Sequence, residues 1–157
     1  MIHTIPDKAI YDSIQISGFF KSNGKGKIKE AKAVYMATKL PSGGMLSTSE
    51  DLVTFGNAYA QNNFLRDSTK IKVLTETHLL NGKKTGYGIG WGVKMDKRGR
   101  KIISHTGGNT GSVCRLIVCP ESKLTIAVVS NTFGIDWLAF IRTVNHLPAI
   151  FLDEKTK

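Results

Sequence analysis

The sequence predicts an α+β domain, an antiparallel β-sheet flanked by helices. Three observations carry that prediction. Two stretches with apolar residues at helical spacing come first, about four short strands joined by tight turns follow, and an amphipathic helix comes last. Turns this short force antiparallel neighbours, because a parallel crossover needs roughly a dozen residues or more. The 157 residues, 41% of them apolar, suffice for one compact domain with a core, so global disorder is excluded. No internal repeat and no linker divides residues 1–157.

Residues 1–18 carry no strong pattern. Residues 19–32 are rich in Gly and Lys and predict an exposed hairpin tip or loop, so 1–32 is a poorly defined segment ending in a basic loop. Pro41-Ser42-Gly43-Gly44 is a sharp break. A helix follows, with Ser47-x-x-Glu50 as a capping box and Thr48 and Ser49 as neighbouring cap candidates. Leu52, Phe55 and Tyr59 form its apolar face, and Asn62-Asn63 ends it. A second helix is predicted over Ile71 to Leu80, with Val73, Leu74, Thr77 and Leu80 on one side.

After Asn81-Gly82 the period changes. Gly86, Gly88, Gly90 and Gly92 alternate with Tyr87, Ile89, Trp91 and Val93, which predicts a strand with one bulky and one bare face. Asp96-Lys97-Arg98-Gly99 is a turn, Lys101 to His105 a strand, and Gly107 to Gly111 a tight loop. Ser112 to Cys119 and Leu124 to Ser130 are two more strands, joined by Pro120 to Lys123. The last helix is predicted from Ile135 to His146, with Trp137, Phe140, Ile141 and Val144 as its stripe and Pro148 as its stop.

Composition excludes several classes. No apolar run approaches the ~20 residues a membrane-spanning helix needs, so no transmembrane segment is expected. The first residues show no basic region followed by an apolar run, so no signal peptide is visible; compartment stays open. Lys plus Arg is 22 against 12 for Asp plus Glu, a net charge of +10 that favours anionic partners. The cations gather in two runs, Lys21 to Lys32 and Lys94 to Lys101, which read as solvated loops. Lacking aromatic residues between its lysines, the first run gives no stacking platform, so nucleic acid is not expected as a partner. Cys114 and Cys119 lie five apart on one strand, ~16 Å in extended chain, too far for a disulfide. The four histidines have no zinc-ligand spacing, so no metal site is expected. Neither a Walker A motif nor Gly-x-Gly-x-x-Gly after a strand is present, and no cofactor is expected.

His105-Thr106-Gly107-Gly108 is the most informative tetrapeptide. It sets an imidazole, a hydroxyl and two glycines at a strand end, where a substrate can lie against bare backbone. A backbone N–H there can stabilise an oxyanion, worth ~3 kcal/mol per donor. Three blocks then act together. Pro41 through Ala58, Tyr87-Gly88-Ile89-Gly90-Trp91-Gly92-Val93, and His105 through Gly111, Pro120-Glu121 and Val128-Val129-Ser130-Asn131 resemble the C-terminal part of the serine β-lactamase-like family. That family includes class C β-lactamases, penicillin-binding proteins, related esterases and a mitochondrial branch, which the His-Thr-Gly-Gly form resembles most. The fit covers about residues 33–145.

The resemblance implies a partial β-lactamase-type domain and acyl-serine hydrolysis of an amide, lactam or ester, with a small-molecule or peptide substrate. It implies that His105 takes the basic position beside the leaving group. Thr106 would bond the substrate carboxylate or carbonyl. Gly107 and Gly108 would line the wall, with the Gly108 N–H as one oxyanion donor. Lys84-Thr85-Gly86 spells a family triplet but precedes the Tyr-Gly-Ile-Gly-Trp block instead of following it, so it reads as a loop. The family's nucleophile motif, Ser-x-x-Lys at a helix start, matches only Ser22-Asn23-Gly24-Lys25, inside a Gly/Lys loop. Its Tyr-x-Asn has no match. No nucleophile is therefore assigned in this chain. Two further expectations follow: a catalytically inactive binding or scaffold module as the alternative, and self-association through an exposed sheet edge.

Overall fold

The computed structural model describes residues 1–7, 18–32, 34, 36–60, 65–134 and 136–153. In chain order the elements are β1 (Ile5–Pro6), β2 (Phe20–Ser22), β3 (Ile28–Glu30), β4 (Met45–Leu46), α1 (Ser49–Ala60) and α2 (Asp67–Val73). There follow β5 (Gly92–Met95), β6 (Lys101–Asn109), β7 (Ser112–Cys119), β8 (Leu124–Ser130), β9 (Thr132–Phe133) and α3 (Trp137–Asp153). The main sheet is an antiparallel meander in the order β5-β6-β7-β8, as the turn lengths predict. Two small sheets, β3-β2-β9 and β1-β4, flank it.

Strand β7 shows why the sheet is covered on both faces. Its side chains alternate, so Leu116 and Val118 join one apolar cluster and Ile117 and Cys119 another. The first cluster packs Ile103, Trp91 and Leu74 under Leu52, Phe55 and Tyr59, the predicted stripe of α1 and its neighbours. The second packs Ile102, Ile126 and Val144 under Phe140, Leu147 and Leu152 of α3. Each fully buried Ile or Val contributes about 1.5–3 kcal/mol. Helix α1 lies close because of Gly56, where a Cβ would meet Thr125 Cγ2 at 2.6 Å and Val118 Cγ2 at 2.9 Å.

The α1 cap is Thr48, not the Ser47 of the predicted box. Its Oγ1 accepts the Asp51 N–H at 3.2 Å, while Ser47 Oγ lies 2.9 Å from Thr4 Oγ1. Asp51, buried in the first turn, has another task. Its carboxylate accepts the N–H groups of Ile2 (3.1 Å) and His3 (2.9 Å) and the Thr4 hydroxyl (2.6 Å). The Thr4 bond, with the two backbone bonds, holds its pKa below the usual carboxylate value despite burial.

Four predictions need correction. Helix α2 is Asp67–Val73 and ends where Leu74 enters the core, so Ile71 to Leu80 is not a helix. Thr77 competes for the backbone, its hydroxyl and N–H both bonding the Tyr87 carbonyl, and Leu80 stands fully exposed at a turn. The segment 86–91 is not a strand: Gly86 and Gly90 take φ +71° and +77°, and only Gly92 onward pairs with β6. Conversely, Gly107, Gly108 and Asn109 are not a loop. They ladder with Cys114, Val113 and Ser112, leaving Thr110 and Gly111 as the turn. Pro148 does not stop α3. It is buried within the helix, where continued packing of Leu147 and Leu152 outweighs the one hydrogen bond its ring removes. The predicted stop at Asn62-Asn63 and start at Ile135 lie outside the described residues.

The basic segment forms the predicted hairpin. Strands β2 and β3 pair Phe20↔Glu30, Lys21↔Lys29 and Ser22↔Ile28. Asn23 Oδ1 accepts the N–H groups of Lys25 and Lys27 and shapes the tip. Gly111 (φ +87°) fits against the hairpin base, where a Cβ would lie 2.6 Å from Phe19 Cβ. Among the described residues no helix is long and apolar enough to cross a membrane.

Candidate active site

Strand β6 outruns β5. Pairing with β5 covers Lys101 to Ser104 only. From His105 to Asn109, β6 has no further strand partner on that side among the described strands, while β7 pairs the other side. Alternation puts Ser104 and Thr106 on the α3 face and His105 on the opposite one. A cleft of about 360 Å³ opens at this free edge, lined among others by Tyr87, Lys94, Ser104, His105, Thr106 and Arg115. The Tyr87 ring stands edge-on to the His105 imidazole, centroids 6.2 Å apart.

Arg115 is the floor of the cleft. It is 8% exposed and sits directly across from Thr106 in the β6–β7 register. Its Nη1 donates to Thr106 Oγ1 and its Nη2 to Ser104 Oγ at 3.1 Å. Asn145 of α3 accepts from Nη2 at 2.7 Å and from Nε at 3.1 Å. All these acceptors are neutral, and among the described residues Arg115 pairs with no carboxylate. A buried cation without a counter-charge is costly, so its pKa is lowered by burial. The Lys94 pKa is lowered too, first by desolvation and then by the Arg115 charge. The cleft floor is therefore positive and suits an oxyanion or carboxylate.

His105 and Thr106 both line this cleft. Gly107 and Gly108 run on along the same strand but do not line it. A Cβ at Gly107 would lie 2.7 Å from Cys114 Sγ, and one at Gly108 3.2 Å from the Trp137 ring. Burial pushes the half-buried Cys114 thiol up, against a backbone hydrogen bond from Gly107. Ser22 ends β2 and does not itself start a helix, and its Oγ accepts the Gly24 N–H at 3.1 Å. Lys84-Thr85-Gly86 is irregular chain in which Lys84 bridges His78 and Glu76 accepts the Gly86 N–H at 2.6 Å. Among the described residues no group of three or more His, Cys, Asp or Glu comes together.

Sequence reasoning missed Arg115, Ser104, Lys94, Tyr87 and Asn145. One signal was available: Arg115 is the single charge in the apolar run Val113 to Cys119. Counting back from a two-residue turn at Thr110-Gly111 places it opposite Thr106.

Fold and site together define a sheet covered by helices with a cleft at the free edge of an inner strand. The family model described as Beta-lactamase matches residues 8–147, and the chain belongs to that family. It is 29% identical over 98 residues to penicillin-binding protein 4* of Bacillus subtilis (strain 168), covering 62% of this chain and 22% of that protein. Over 138 residues it is 30% identical to the mitochondrial serine beta-lactamase-like protein LACTB of Mus musculus, covering 72% of this chain and 25% of that one. In structure it resembles a D-stereospecific amidohydrolase from Streptomyces sp. (TM-score 0.61, 21% identity), over 75% of this chain and 35% of the other. The chain spans about a quarter of the length of the curated relatives it matches.

Proposed function

We propose that this chain supplies one wall of a serine hydrolase active site, completed by a nucleophile outside these residues. In the reaction, a serine Oγ–acyl bond forms as the bond to the leaving group breaks, and the leaving group takes up the proton. Water then hydrolyses the ester. The observation that carries this reading is the Arg115–Thr106 pair in a positive cleft. Because Thr106 Oγ1 accepts from Arg115, its own proton is free to donate to a substrate carboxylate or carbonyl. His105 is exposed and lines the cleft, which supports its role as the group that would pass a proton to the leaving group. The Gly108 N–H, two residues along the strand from Thr106, is the proposed oxyanion donor.

Among the described cleft residues the serine is Ser104, and its oxygen accepts from Arg115 instead of facing a base. The chain alone should then bind but not turn over. The test pairs a chromogenic lactam and an activated ester with an N-acyl amino acid added to the isotope-labelled chain. The expected result is no hydrolysis, with amide shifts along β6 that vanish in Arg115→Met. Hydrolysis lost in Ser22→Ala or Ser104→Ala would overturn the external nucleophile. Absence of any β6 shift would remove the binding wall.

A further inference from the structure

The basic hairpin has a geometry that a solvated loop does not need. Lys21 and Lys29 are direct cross-strand partners, a like-charge arrangement that costs stability. On its other side β2 pairs in parallel with β9, Lys21 opposite Phe133. Cross-strand partners share a face, so Lys29, Lys21 and Phe133 form one row across the three-stranded sheet. All three are exposed, Phe133 by 37%. Lys25 and Lys27 extend the positive charge to the tip, and Ile28 is 62% exposed on the other face. Among the described residues no carboxylate forms an ion pair with any of these lysines. The hairpin is also braced, since Gly111 of the β6–β7 turn packs into its base and Phe20 N–H bonds the Asn131 carbonyl at 2.8 Å.

We propose that the Lys29–Lys21–Phe133 row is a docking surface for an anionic lipid bilayer. Lysines placed beside an exposed aromatic match the headgroup level, where cations meet lipid phosphates and carboxylates and an aromatic ring sits between water and acyl chains. Nucleic acid fits less well, because a base-stacking platform needs aromatic faces between the cations, whereas Phe133 stands at one end of the row and Phe20 of the hairpin pairs with Glu30. Docking would leave the protein peripheral, with the end of β6 next to the bilayer. The proposal does not depend on the hydrolase reading.

The test is flotation of the 157-residue chain with vesicles of equal parts phosphatidylserine and phosphatidylcholine, against phosphatidylcholine alone. Binding is expected only to the anionic vesicles and should fall as salt rises. Lys21→Gln with Lys29→Gln should weaken it by about 25-fold, about fivefold per lysine, without lowering the melting temperature. Lys97→Gln with Lys101→Gln, in the second basic run, should change it less than about twofold. Phe133→Ser should weaken binding while leaving the salt slope unchanged, and the lysine pair carries the test alone if that variant unfolds. Three results would overturn the proposal: no binding to anionic vesicles at low salt, equal losses from both lysine pairs, or displacement from vesicles by a single-stranded oligonucleotide at lower charge concentration.

Discussion

Two glycine-rich segments carry nearly the same signal and fold oppositely. Gly86 to Gly92 alternates glycine with bulky residues and yet turns repeatedly, with positive φ at Gly86 and Gly90. Gly107 to Gly111 clusters its glycines like a loop and yet lies mostly in β6. The difference is the partner. Gly107 and Gly108 face Cys114 and Val113 of β7, an apolar strand buried on both sides and only a short turn away. Residues 86–91 ladder with no strand beyond a single bridge from Tyr87 to Gly92, and their backbone groups go to Thr77, Val73 and Glu76 or fold back on Trp91 and Val93. Glycine spacing grants freedom, and the neighbouring chain decides how that freedom is used.

Substitutions can break this contrast, and the largest effect is expected at Gly88. A Cβ there would run into the Val73 backbone carbonyl, which cannot rotate away. Gly88→Ala should cost about 3 kcal/mol or more by chemical denaturation, and a cost below about 1 kcal/mol would show that 86–91 is loosely held. Gly107→Ala meets the Cys114 sulfur, so it should cost about 1–3 kcal/mol. Combining it with Cys114→Ala should recover part of that loss in a double-mutant cycle. Simple additivity would mean the two do not touch. Gly90→Ala has open space but φ +77°, so strain alone should cost about 1–2 kcal/mol.

Arg115→Met sharpens the contrast from the other side. Removing a buried, uncompensated cation should change stability by about 1 kcal/mol or less, while ligand-induced shifts along β6 disappear. Removing the Arg115 charge should also raise the Lys94 pKa, read from its side-chain carbon shifts. The sign follows from the shift: a lysine lowered in the fold makes the folded state gain stability as pH rises through its folded value. An unchanged Lys94 would mean that burial alone depresses it.

The periodic elements were legible in the sequence. The α1 stripe, the turns at Asp96 to Gly99 and Pro120 to Lys123, and the β7 and β8 strands stand where local pattern puts them. Local pattern failed where a distant partner decides. Pro148 sits inside α3 because the helix is pinned to the sheet on both sides of it, and Leu80 keeps helical spacing but caps an irregular turn. The candidate site divides the same way. His105 and Thr106 stand in one tetrapeptide, whereas Arg115 becomes their companion only through β-pairing, and Asn145 only through the docking of α3.

The Asp51 carboxylate makes the amino end of this chain acid-labile. It gathers Ile2, His3 and Thr4 at the mouth of a helix, and its depressed pKa means the fastening is fully present above the unfolded carboxylate value and lost as pH falls through the folded one. Acid below the usual carboxylate range should therefore unstitch residues 1–7, exposing a protease-sensitive tail that reseals on neutralisation, whereas mild acid should leave it fastened. Asp51→Asn would leave that tail frayed at every pH.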